Sequence, residues 1–108
     1  MAFKGGGNMN QMLKQAQKLQ QDMLKAKEDA ENRSVEASAG GGAVQVVVSG
    51  KLELMQLKID PAAIDPNDAE MLEDLIKAAV NQGLHNAQEM IETEMSKITG
   101  GLNMPGLF

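Results

Sequence analysis

Three lysines, Lys14, Lys18 and Lys25, are spaced so that a helix carries them on one side. At 100° per residue they fall within about 40° of one another. Gln11 and Gln21 join the same strip. Ammonium and amide groups in such a row can contact successive phosphates of a nucleic acid without reading its bases. No Arg stands among them, so bidentate contacts to guanine are not expected. Trp and Tyr are absent and the two Phe, Phe3 and Phe108, lie at the ends, so a stacking platform for single strands is not expected either. The pattern favours a duplex and little sequence preference. Asp22, Glu28 and Asp29 border the strip toward its C-terminal end, where the positive potential should fade. Five lysines in this region have an ordinary use as well, which is to keep an exposed helix solvated.

Other chemistry finds little support. Cys is absent, which excludes a thiol nucleophile, a disulfide framework and a thiolate metal site. His85 is the only histidine and falls on the outward face of a helix. No Ser has a base at a recognisable spacing. The Gly40–Gly42 run lacks the Lys-Ser/Thr ending of a phosphate-binding loop. Asp68, Glu70, Glu73 and Asp74 crowd together, but without the spacing and glycine of a calcium loop. They suit the positive end of a helix dipole. No enzyme, metal or cofactor is expected.

Charge is unevenly distributed. Residues 1–27 hold five lysines against the single Asp22, a balance of +4, and the remainder holds five basic and fourteen acidic side chains, a balance of −9. Such asymmetry gives one end to an anionic partner and keeps the other away from it. No apolar run approaches a membrane span and no leader pattern opens the chain, so a soluble, cytoplasmic protein without membrane contact is expected.

The elements that position the strip follow from periodicity. The 108 residues make one α+β domain, 1–108. Residues 1–8 are glycine-rich and read as a flexible arm, followed by a helix from about Met9 to about Glu31, with Asn8 or Asn10 as its cap. Met9, Met12, Ala16, Leu19, Met23, Ala26 and Ala30 alternate spacings of three and four. This is the seam of a coiled coil, open to packing within the chain or between subunits. A three-stranded antiparallel sheet is expected across 33–59. Val44, Val46 and Val48 form the inner face of its middle strand.

Ser49-Gly50 reads as a tight hairpin, with Gly50 tolerating positive φ. The third strand starts at Lys51. Its apolar parity slips between Leu52/Leu54 and Leu57/Ile59, which a β-bulge near Leu54–Met55 would reconcile. Asp65-Pro66 or Asn67 starts a long helix across 67–99, and Gly100-Gly101 ends it before a flexible tail, 100–108. Ala79, Gly83 and Ala87 make a narrow step on that helix, where another helix, the partner subunit's, could approach. The aromatic-free core of a short chain points to a homodimer, with Val44, Val46, Val48, Ala79, Gly83 and Ala87 as candidate interface residues.

The chain also resembles the YbaB/EbfC family of small bacterial nucleoid-associated DNA-binding proteins. The resemblance rests on Met12-Leu13-Lys14-Gln15-Ala16-Gln17, on Gly42-Ala43-Val44-Gln45-Val46-Val47-Val48-Ser49-Gly50, and on Ile59-Asp60-Pro61. Glu70-Met71-Leu72-Glu73-Asp74-Leu75, Ala78-Ala79, Asn81 and Met104-Pro105-Gly106 extend it to nearly the whole chain. It implies a tweezer-like homodimer, duplex DNA as partner, a place in the nucleoid and effects on gene expression. It implies no catalytic residues. Some members place Arg on the second helix, where this chain has His85 and Asn86 on an acidic face. The expected DNA contacts are therefore Lys14, Lys18 and Lys25, supported by Lys4 and Lys27, with Lys51 at the hairpin tip. A protein-interaction or prefoldin-like chaperone module without DNA binding is the alternative, since that fold also joins two helices through a hairpin.

Overall fold

A computed structural model describes residues 4–99, in the order helix, three-stranded sheet, helix. Helix α1 runs Lys4–Glu31, strand β1 Ser34–Ala39, β2 Val44–Ser49 and β3 Leu54–Ile59, and helix α2 Ala69–Thr99. The sheet is antiparallel in the order β1-β2-β3. Residues 1–3 of the arm expected at 1–8, and the whole tail expected at 100–108, lie outside the described residues. The α+β class read from periodicity is the one observed.

Valine alternation sets the sheet. Val44, Val46 and Val48 turn to one face of β2 and are fully buried. The register aligns Val35, Val48 and Leu54 across the three strands, then Ala37, Val46 and Leu57, then Ala39, Val44 and Ile59. Between Val47 and Val48 the pairing jumps from Gln56 to Leu54. Met55 is the extra residue, and this bulge restores the inward parity of β3 where the sequence pattern slips.

Helix α2 lies across β1 and β2. Its Ala79 and Ala87 are buried against the valines, and Leu72, Leu75, Ile76, Val80 and Leu84 flank them. Gly83 sits between these alanines where a Cβ would stand 2.7 Å from Val48 Cγ2 and 3.0 Å from Val46 Cγ2. The narrow step on α2 is therefore filled by β2 of the same chain and not by a second helix. All six residues expected at a subunit interface, Val44, Val46, Val48, Ala79, Gly83 and Ala87, meet one another inside one chain. Helix and strand periodicity specified two faces needing cover, and they cover each other.

The ends of the elements differ from expectation in four places. Helix α1 opens at Lys4, so residues 4–8 belong to it and Asn8 and Asn10 lie within it. Helical glycines cost about 1 kcal/mol each against Ala, which disfavours but does not forbid that extension. The hairpin after β2 is a three-residue loop. Leu52 N–H donates to Ser49 C=O at 2.9 Å and Ser49 N–H to Glu53 C=O at 2.9 Å, which delays β3 to Leu54. The left-handed position of that loop falls on Leu52, φ 62°, and not on Gly50. Gly50 is needed because a Cβ there would lie 1.8 Å from the Ala30 carbonyl oxygen. Lastly, Asp65 and Pro66 form a turn, closed by Asp68 N–H to Asp65 C=O at 2.9 Å. The cap of α2 is Asp68, whose Oδ1 accepts from Met71 N–H at 3.2 Å.

The second half of the α1 seam packs on the far end of α2. Ala26 and Ala30 are buried there and Leu19 and Met23 are half-buried. Arg33 donates to Glu94 and secures the crossing. Sheet and helices follow one another along an elongated body of 81 × 25 × 16 Å.

Candidate nucleic-acid interface

Along α1 the sequence from Lys4 to Gln21 contains no carboxylate, and from Met9 to Gln21 only lysines and amides decorate the polar side of the helix. Lys14, Lys18, Lys25 and Lys27 are all exposed. Among the described residues none of the four is held in an ion pair. Lys14 to Lys25 spans about 17 Å of helix at 1.5 Å per residue, close to the rise of about five base pairs. Lys14, Lys18 and Lys25 share the strip expected from their spacing, and Lys27 lies off it. Lys4 opens the helix.

The strip weakens toward the body of the protein. Lys25 borders a shallow depression with Asp22, Asp29 and Glu94, and the Lys97 ammonium beside it is already engaged at 3.3 Å from Glu94 Oε1. Hydrogen bonding from Lys97, reinforced by the charges of Lys97 and Arg33, holds the Glu94 carboxyl below its usual value against the opposing effect of desolvation. Arg33 and Lys97 are thus committed to a structural carboxylate. Lys51 is exposed on the hairpin loop, and the surface around it also presents Glu31 and Glu53. It lies at the α1–sheet junction, apart from the Lys14–Lys18 end.

The second helix offers no comparable strip. His85 Nε2 stands 2.8 Å from Glu89 Oε1 on the exposed face. Asn86 does not lie free beside it: its Nδ2 donates to the Glu36 carbonyl at 3.3 Å and ties α2 to β1. Asp74, Glu89 and Glu92 are exposed. The uncovered face of the sheet presents Glu36, Ser38, Gln45, Val47, Gln56 and Lys58 around an open depression. Lys58 had no distinguishing signal in the sequence, since a lysine alternating outward on a strand reads as ordinary solvation. Among the described residues no His/Asp/Glu group is placed to hold a metal ion. No described helix is long and apolar enough to cross a membrane.

The helix–sheet–helix scaffold carries along its first helix a row of exposed lysines that are unpaired among the described residues. The chain belongs to the YbaB/EbfC DNA-binding family, whose sequence profile matches residues 5–102. That family is one of DNA-binding proteins and not of enzymes. A nucleoid-associated protein of Pelotomaculum thermopropionicum is 56% identical over 103 residues, covering 95% of this chain and 98% of that protein. A nucleoid-associated protein of Thermoanaerobacter sp. (strain X514) is 55% identical over 106 residues, 98% of this chain and 96% of that one. The crystal structure of an uncharacterised Helicobacter pylori protein, HP0035, superimposes with a TM-score of 0.54 at 26% identity, covering 86% of this chain and 91% of the other.

Proposed function

We infer that this protein binds duplex DNA as a homodimer, through phosphate contacts from α1 and with little dependence on sequence. The observation that carries this reading is the carboxylate-free end of α1, where Lys14 and Lys18 are exposed and unpaired. Lys25 continues the strip, Lys27 and Lys4 raise the local potential, and Lys51 acts only on DNA that reaches the sheet. The names of the relatives support a place in the nucleoid, in the cytoplasm; an influence on gene expression would follow from occupancy of DNA.

The dimer has a surface available outside the six residues of the internal core. Helix α2 covers β1 and β2 but leaves the inward side of β3 bare, with Leu54 44% and Leu57 42% exposed. An apolar edge of this kind, in a chain with a small aromatic-free core, is suited to a second copy. Two subunits bring six lysines of the strip to one duplex.

Salt dependence tests the mechanism. Six phosphates give a slope of log affinity against log salt of about −5.4, so affinity falls about a thousandfold between 50 and 200 mM salt. Substitution of Lys14 and Lys18 by Ala leaves two contacts per dimer, a slope of about −1.8 and a fall of only about tenfold. Fluorescence anisotropy with several unrelated duplexes reads both slopes, and circular dichroism checks the fold. An unchanged slope, or loss on one sequence alone, overturns the reading. Absence of binding at low salt would leave a protein-interaction module as the function.

A further inference from the structure

The coiled-coil seam of α1 is only half used. Its second half packs on α2, with Ala26 and Ala30 buried. Its first half is bare: Met9 is 63% exposed, Met12 66% and Leu13 57%, and Ala16 is exposed beside them. At 100° per residue these four occupy an arc of about 100°, and Lys14 and Lys18 lie about 170° away on the other side of the helix. The free end of α1 therefore has two independent faces, one apolar and one basic.

We propose that the apolar face is a second self-association surface, on which the α1 ends of two separate molecules pack antiparallel through Met9, Met12, Leu13 and Ala16. Three observations select a second copy as the occupant. The bare face continues a seam that already makes helix–helix packing in this chain. Its flanks carry Asn10, Gln15 and Gln17 and no charge, so two such faces meet without repulsion. A two-fold antiparallel pairing is self-complementary and turns the lysines of both helices outward. Resting on the DNA reading for its consequence, this pairing lets each lysine face hold its own duplex, which bridges two DNA segments. About two helical turns per partner is small beside the roughly 1,000 Å² of a stable interface, so the pairing forms where DNA concentrates the protein.

The natural absence of Cys makes a direct test available. In full-length protein, Met12→Cys on the apolar face and Lys14→Cys on the basic face are oxidised separately at high protein concentration. The expected result is disulfide formation for Met12→Cys only, joining separate native assemblies so that the native mass increases. Equal yields at the two positions, or an unchanged native mass, overturn the proposal. For bridging, an immobilised duplex loaded with protein is offered a second, labelled duplex. Met12→Gln with Leu13→Gln should abolish capture of the second duplex and leave anisotropy on a single duplex intact. Undiminished capture overturns the proposal, whereas loss of single-duplex binding by the Lys14/Lys18 variant reports separately on the lysine reading.

Discussion

Gly83 measures how closely α2 sits on the sheet. A methyl group there stands 2.7 Å from Val48 Cγ2 and 3.0 Å from Val46 Cγ2, so the helix or both valines must move. Overpacking of this kind costs about 1–3 kcal/mol. Replacing a mid-helix Gly by Ala returns about 1 kcal/mol through propensity. Gly83→Ala should therefore destabilise by about 0–2 kcal/mol net. Removing the nearer obstacle reverses the balance. Val48→Ala alone leaves a cavity and costs about 1.5–3 kcal/mol. In that background the methyl at position 83 enters the vacated space, and Gly83→Ala should become neutral or stabilising by up to about 1 kcal/mol. Urea unfolding of the four proteins at one protomer concentration gives the cycle, with a coupling of about 1–2 kcal/mol expected. Additive single effects would refute the claim that Gly83 exists to admit β2.

Other perturbations read other parts of the fold. Leu52→Gly removes a left-handed Leu costing about 1–2 kcal/mol and adds unfolded-state freedom of about 0.4–1 kcal/mol; a gain of up to about 1 kcal/mol in thermal unfolding is expected. Gly50→Ala places a methyl against the Ala30 carbonyl, and loss of cooperative unfolding by circular dichroism is the expected outcome. The Glu94 carboxyl is held below its ordinary value in the folded chain, so its contribution is complete above the unfolded value of about 4.3 and fades as pH falls through the lower folded value. The stability difference between the natural chain and Glu94→Gln should be present at neutral pH and vanish in acid; a difference that persists in acid would show that packing, and not charge, sets the role of Glu94.

The lysine strip was legible from spacing because a helix fixes the angular positions of Lys14, Lys18 and Lys25 whatever surrounds it. The sequence could not reveal which cations remain available, because pairing joins distant residues. Arg33 meets Glu94 sixty-one positions away, while Lys14 and Lys18 lie on a stretch that no described acidic side chain reaches.

The amino-acid sequence determined the helix–sheet–helix order, the inward valines of β2 and the bulge at Met55, because each is local periodicity or a local break in it. Tertiary structure decided what each apolar face meets. Val44, Val46 and Val48 could serve a partner or the chain's own Ala79, Gly83 and Ala87, and only the path of the loops brings the two sets together. The same holds for the seam of α1. Seven residues repeat with one period, yet the fold buries Ala26 and Ala30, half-buries Leu19 and Met23, and leaves Met9, Met12 and Ala16 bare. Periodicity states that a face must be buried, and the folded geometry chooses where the cover stops.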